Sequence, residues 1–256
     1  MPATRASVEV LLTATLYATE VAKFALASRF NIMAATICQI LGYHRQPLNP
    51  TPEQQSLSDR QAALFWFVYA NDKCLSLRFG RCSQIQDYDI TVSRTLGASV
   101  VLPDPGWRVV FHQWTTHAEF LGHAYEQLYS AAALARSPQE RAESAHALIR
   151  SLKATNARLA AERAATGLAA THESLPPGTA PREKGPNPYS IDMAVMSDEV
   201  MLYCAMTLIY RSVPPSGGEG TLYAECVEAA RKAVASHHEC MKLSPNKHVD
   251  AGIISW

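Results

Sequence analysis

Hydrophobic residues recur at spacings of three and four along almost the whole chain, which is the pattern of amphipathic helices. The first two stretches, residues 8–16 and 32–41, are separated by polar positions around Lys23 and end at Gly42 and Pro47, so they predict two helices. Strand-like alternation is nearly absent, and the short VVLP after Ser99 fits an extended loop equally well. We therefore predict an all-α fold, a bundle-like arrangement of several helices.

Two tetrapeptides have the form of a helix-opening capping box. In TPEQ, from Thr51, and SPQE, from Ser137, a hydroxyl residue precedes proline and a Gln or Glu follows at the third helical position. The first box predicts a long helix through about residue 79. The second predicts a surface helix, because its apolar stripe is narrow and its other faces are charged.

Three further stretches, 107–134, 191–210 and 217–241, have helical spacing, and residues 191–210 are so apolar that we expect burial on nearly all sides. Between them lies the proline-rich and glycine-rich LPPGTAPREKGPNP, residues 175–188. This composition does not support a packed element, and we predict a flexible loop or linker over residues 171–189. One domain spanning residues 1–256 is the favoured organisation.

Composition and charge exclude several classes of function. Lys plus Arg and Asp plus Glu each number 23, so the formal charge is zero and the chain lacks the basic excess of DNA-binding proteins. The six cysteines are scattered without a CxxC pair, which favours reduced core residues over a zinc or redox motif. The apolar run MLYCAMTLIY is short for a bilayer, so we expect an intracellular chain without a membrane span.

Tests for catalytic and metal-binding patterns favour structural interpretations. His112, His117 and His123 are spaced by five and six residues and fall on different helix faces, and no GxSxG or P-loop is present. The Asp87-Tyr88-Asp89 triplet alternates carboxylates as magnesium sites can, but the same pattern is common where Asp caps a turn or pairs with Arg. We predict no catalytic, cofactor or metal residue in this chain and no enzyme activity.

The segment 64–81, LFWFVYANDKCLSLRFGR, combines aromatic residues with formal charges. These charges either do chemistry in a pocket or hold the chain where a helix ends. A carboxylate such as Asp72 cannot stay ionised in a dry core unless it is paired, and we expect Arg78, Arg81 or cations on a neighbouring helix as its partners. Asp87 and Asp89 could pair with the same arginines and fold the exit loop back over the helix.

Residues 64–90, LFWFVYANDKCLSLRFGRCSQIQDYDI, closely resemble the signature of the fungal-specific transcription factor domain, the middle homology region of zinc binuclear cluster regulators. The matching positions form the candidate structural motif: Phe65, Trp66, Tyr69, Asp72, Ser76, Leu77, Gly80, Arg81, Asp87 and Asp89. AATICQILGYHRQ from Ala34, YEQLYSAAAL from Tyr125 and CVEAARKAV from Cys226 are similar to other helices of that family. Cys82 departs from the pattern, since the family usually has Pro there.

The resemblance implies a nuclear regulatory and interaction domain that controls an attached DNA-binding region. DNA contact and zinc would belong to an N-terminal six-cysteine cluster that is absent from this sequence, and the helical domain usually continues beyond Trp256. A protein partner, a small-molecule effector and a homodimer all fit such a domain. The alternative is a stand-alone helical binding or assembly module, and a helical enzyme is a distant third interpretation.

Overall fold

A computed structural model describes residues 2–102, 106–166, 191–213 and 220–243, without the side chains of residues 192, 220–223 and 243. Within these ranges the regular elements are helices and no strand occurs, which confirms the all-α prediction. The chain divides into two compact units, Met1–Tyr125 and Glu126–Trp256. The predicted single domain stays a prediction, and the predicted loop 171–189 lies outside the described residues.

The first unit contains four helices: α1 (Arg5–Glu20), α2 (Phe24–Ile40), α3 (Pro52–Phe79) and α4 (Gly106–Ala124), with a 3-10 turn at Asp87–Asp89. Thr4 begins α1 by accepting a hydrogen bond from the Ser7 backbone N–H at 3.2 Å. A short turn leads into α2, and α3 packs against both α2 and α4. The two helices predicted before residue 42 are therefore confirmed.

α3 is the central helix of this unit, and its ends are fixed by the local sequence. At its start, the Thr51 hydroxyl accepts from the Gln54 N–H at 3.3 Å and the Gln54 side chain accepts from the Thr51 N–H at 2.9 Å, which confirms the capping box. At its end, Gly80 adopts the left-handed conformation, with φ of 62°. The helix spans 28 residues because both boundary signals are satisfied.

The core of the first unit is built on one face of α3. Phe65, Trp66, Val68 and Tyr69 are all buried there, against Val8 and Leu11 of α1, Ala34, Ala35 and Cys38 of α2, and Phe111 and Ala118 of α4. Small residues on α2 let α2 and α3 approach each other closely. The large aromatic side chains of α3 fill the remaining space in the core.

The second unit begins in a π-helical turn, Tyr125–Tyr129, and continues through α5 (Ala131–Leu134), α6 (Pro138–Ala165), α7 (Ile191–Arg211) and α8 (Gly220–Leu243). The predicted helix over 107–134 is interrupted at Ser130, whose hydroxyl accepts from the Ala133 N–H at 3.1 Å and begins α5. The capping box at Ser137 is confirmed, with bonds to and from Glu140. The predicted apolar stripe of α6 is buried: Ala145, Leu148, Ile149, Leu152 and Leu159.

α7 is the apolar helix of the second unit. Its side chains from Met193 to Tyr210 are buried or half-buried, as predicted. By length and composition, Met193–Arg211 could cross a membrane, a test that buried core helices also pass, and 56% of that window is buried inside the protein. Its Asp198 forms a buried ion pair with Arg163 of α6 at 3.6 Å, so α7 carries a charge that is matched by a neighbouring helix.

Candidate functional site

An aromatic cluster forms the apolar half of the 64–90 segment. Phe65, Trp66 and Tyr69 are at most 1% exposed and meet edge to face, with ring centroids 5.2 Å apart for Phe65 and Trp66 and 5.0 Å for Trp66 and Tyr69. The indole N–H of Trp66 donates to the Ser93 carbonyl at 2.7 Å. The cluster therefore holds the chain after residue 90 against α3 as well as filling the core.

Lys73 forms the polar centre of the segment, although its side chain is only 1% exposed. Its Nζ donates to the Ile85 carbonyl at 2.8 Å and to a carboxylate oxygen of Asp87 at 3.0 Å. The other carboxylate oxygen of Asp87 accepts from the Tyr69 hydroxyl at 2.6 Å. A buried ammonium needs such an opposite charge, because desolvation without a partner would cost several kcal/mol.

Burial, and then the hydrogen bond to Asp87, raise the pKa of the Tyr69 phenol above its usual value. The hydroxyl therefore remains a donor to the carboxylate at neutral pH. Helix α4 packs over the buried side chain of Lys73 at Gly122, where a Cβ atom would lie 3.0 Å from Cδ of Lys73. The glycine leaves the room that the buried lysine stem occupies.

Asp72 holds the loop that leaves α3. Its carboxylate accepts from the backbone N–H groups of Gln84 at 3.2 Å and Ile85 at 3.0 Å, and from the Ser83 hydroxyl. The observed donors to Asp72 thus come from the returning loop, whereas guanidinium groups of Arg78 or Arg81, or cations on a neighbouring helix, were expected. Backbone and hydroxyl donors of the returning loop stabilise the buried charge instead.

Arg78 and Arg81 lie on the surface at the end of α3. The guanidinium of Arg78 lies 3.6 Å from the ring centroid of Phe24, and that of the exposed Arg81 lies 5.6 Å from the ring centroid of Phe79. Their planar, weakly hydrated guanidinium groups stack on aromatic faces, while the carboxylates of Asp72 and Asp87 face inward to other partners.

The motif residues at the end of α3 build a Schellman turn. The Gly80 N–H donates to the Leu77 carbonyl at 3.1 Å, and the Arg81 N–H donates to the Ser76 carbonyl at 2.9 Å. The side chain of Leu77 is buried, and the Ser76 hydroxyl donates to the Cys82 carbonyl at 3.4 Å. The turn therefore forms with Cys82 at the position where proline was expected.

Asp89 connects the loop to the end of α2. It accepts from Arg45 at 2.7 Å and lies 3.2 Å from Nε2 of His44, while Asp87 turns inward to Lys73. The hydrogen bond from Arg45 contributes most to lowering the pKa of the Asp89 carboxyl. The predicted return of the loop is confirmed, but the cations that bind its carboxylates differ from the expected arginines. Asp87 binds Lys73 and Asp89 binds Arg45, so the two carboxylates do not share one cation.

The structure thus brings the motif residues together at one place, where α3, its exit loop and the end of α2 meet. Sequence reasoning missed Lys73, Ser83, His44 and Arg45, which supply the observed donors. The position of Lys73, four residues after Tyr69 and one after Asp72, was the available signal, because a charge so placed on a buried helix face needs a partner.

The cysteines do not provide a zinc site. Among the described residues, no group of three His, Cys, Asp or Glu side chains is placed to hold a metal ion. The six cysteines are scattered and form no disulfide bond, and burial raises the pKa of both Cys38 and Cys74 to about 12, which favours the thiol over the metal-binding thiolate. A six-cysteine cluster therefore does not fit these residues.

A comparison of the sequence with known protein families shows where this chain belongs. The sequence model described as the fungal specific transcription factor domain matches residues 3–149, which is more than half of the chain. The chain belongs to that family. The match contains all ten motif residues, from Phe65 to Asp89, together with α1 to α4 of the fungal transcription factor domain. No curated protein and no solved structure matches the chain.

Proposed function

We propose that this fungal transcription factor domain is the regulatory and interaction part of a nuclear transcription regulator and controls the activity of an attached DNA-binding region. The observation that supports the proposal is the set of contacts made by the charged side chains of the motif segment. Lys73, Asp72 and Asp87 hold the exit loop to α3, so they stabilise a scaffold, and these three residues do not form a set of nucleophile, base and orienting group. The family is non-enzymatic in general.

DNA contact in this proposal is made by an attached zinc cluster region. The chain has zero formal charge, so it has little means of neutralising a row of phosphates. Control then operates by restraining or releasing the neighbouring DNA-binding region, through a protein partner, a second copy of this chain or a small-molecule effector.

A reporter experiment tests the proposal. A heterologous zinc cluster DNA-binding domain carrying an activation domain is expressed in yeast alone, with this chain inserted, or with an unrelated helical domain of equal length as a control. We expect the inserted chain, and not the control, to change reporter output at equal protein level. Equal output from all three proteins would contradict regulation and favour a stand-alone assembly module.

A further inference from the structure

A cavity of about 380 Å³ opens in the first unit between α2, the last two turns of α3 and the loop after Gly80. It is lined by motif residues, Asp72, Ser76 and Arg81, together with residues of α2. Its size falls within the range of small-molecule sites. Asp72 and Arg81 are the charged side chains in its wall, and they have opposite signs.

The inner end of the cavity offers hydrogen-bond acceptors. Asn31 is 1% exposed and donates to the Val68 carbonyl at 3.0 Å, while its Oδ1 has no partner within the described residues. Asp72, one turn beyond Val68 on α3, uses three of the roughly four acceptor sites of a carboxylate. A ligand that supplies an ammonium would meet a negative charge and the unpaired acceptor there.

The outer end offers donors. Arg81 is exposed, and its guanidinium lies beside the Phe79 ring without an ion-pair partner in the described part of the chain. The half-buried Ser28 hydroxyl lies in the same wall. A carboxylate suits these donors, because guanidinium groups bind carboxylates with two parallel hydrogen bonds.

The spacing of the two ends sets the length of the ligand. The Arg81 N–H donates to the Ser76 carbonyl, and Ser76 lies about 6 Å beyond Asp72 along the helix axis, so the backbones of Asp72 and Arg81 are between one and two helical turns apart. Ile32, Leu75 and Phe79 supply apolar wall between them. A flexible apolar chain of a few methylene groups spans such a distance.

We propose that this cavity binds a small zwitterion whose ammonium and carboxylate are joined by an apolar spacer. The ammonium is held by Asp72 and Asn31, the carboxylate by Arg81 and Ser28, and the spacer contacts Ile32 and Phe79. The role of this ligand as an effector rests on the proposed regulatory function, whereas its binding does not. Because the cavity walls belong to both α2 and the exit loop, occupancy stabilises the attachment of the loop to the helix.

Titration of the purified full chain tests the proposal with 6-aminohexanoate, hexylamine and hexanoate as probes. Isothermal titration calorimetry should show 6-aminohexanoate binding at least about tenfold more tightly than either single-charge analogue, because each lost charged hydrogen bond costs about that much. Equal affinities for the three probes would overturn the zwitterion class, and no heat from any probe would overturn the site.

Two substitutions locate the ligand. Arg81→Gln should weaken 6-aminohexanoate and hexanoate at least about tenfold and leave hexylamine unchanged. Ile32→Trp should fill the cavity and abolish binding of all three probes, whereas Ile40→Trp, also at an exposed position of α2 but outside the cavity wall, should not. Full affinity in Ile32→Trp, or a uniform loss in Arg81→Gln, would overturn the placement.

The calorimetry is independent of transcription, so its failure would leave the regulatory assignment standing. Conversely, tight binding with no effect of 6-aminohexanoate on the reporter would retain the site and remove its effector role. Circular dichroism melting of each variant confirms that the chain is folded before affinity is compared.

Discussion

Lys73 is the residue on which the charged segment depends most. Its ammonium is buried 5.0 Å from the centroid of the Tyr69 ring, and it joins the Ile85 carbonyl and the Asp87 carboxylate of the returning loop to α3. Asp72 also holds the loop to α3, but its negatively charged carboxylate does so by accepting hydrogen bonds from backbone N–H groups of that loop. The formal charges of this apolar segment are therefore explained by attachment of the loop.

Replacement of Lys73 tests this attachment. Lys73→Met keeps most of the stem but removes the charge, leaving Asp87 half-buried with Tyr69, and should lower the free energy of unfolding by about 3–5 kcal/mol. Arg81→Ala, at an exposed position, should change it by less than about 0.5 kcal/mol. Urea unfolding measures both, and equal losses would contradict the assignment of the buried charge.

Tyr69 gives a pH dependence with a definite sign. Its pKa is raised in the folded state, so its contribution is full below the unfolded value near 10 and is lost as the pH rises above it. The wild type should therefore lose stability more steeply than Tyr69→Phe between about pH 9.5 and 11. Parallel stability curves for the two proteins, from urea unfolding at each pH, would contradict the raised pKa of the buried Tyr69 phenol.

Single residues also show what the sequence could and could not predict. The burial of Phe65 and Trp66 followed from aromatic density, and the return of the loop followed from the acidic residues after Gly80. The loop donors to Asp72 were missed, because charge pairing was considered and the backbone N–H groups of the loop were not. Their position depends on how the loop packs in three dimensions.

At the scale of elements, α3 is defined by its two ends. Gly80 has φ of 62°, and no atom lies within 4 Å of a Cβ placed there, so any penalty for substitution comes from the backbone alone. Gly80→Ala should cost about 1–2 kcal/mol of unfolding free energy, and Gly80→Asn less, because Asn tolerates the left-handed region. Equal costs for the two variants in urea unfolding would point to a different cause.

Helix boundaries with explicit caps were predicted well. The boxes at Thr51 and Ser137 fix the starts of α3 and α6, since their side-chain bonds are local. The break at Ser130 was missed, because YSAAAL favours helix on both sides and its serine hydroxyl caps a new turn only after the chain has bent. Helix ends that are set by neighbouring residues can thus be predicted from the sequence, whereas helix ends that depend on tertiary packing cannot.

At the scale of the whole molecule, the family match covers residues 3–149, and the polar attachment of the exit loop lies within it. The family fits an all-α scaffold. The chain has 23 basic and 23 acidic residues, so it lacks the excess positive charge with which DNA-binding proteins neutralise phosphates. We propose that the chain controls the DNA binding of an attached region and makes no sequence-specific contact with DNA itself.

Fluorescence anisotropy of the purified chain with labelled duplex DNA tests that claim most directly. At physiological salt, we expect dissociation constants weaker than about 1 µM, a loss of binding as salt is raised, and no preference among sequences. The same chain behind an N-terminal six-cysteine region should acquire sequence preference. Sequence-selective binding by the isolated chain at about 10 nM or tighter would contradict the claim and place a recognition surface on these helices.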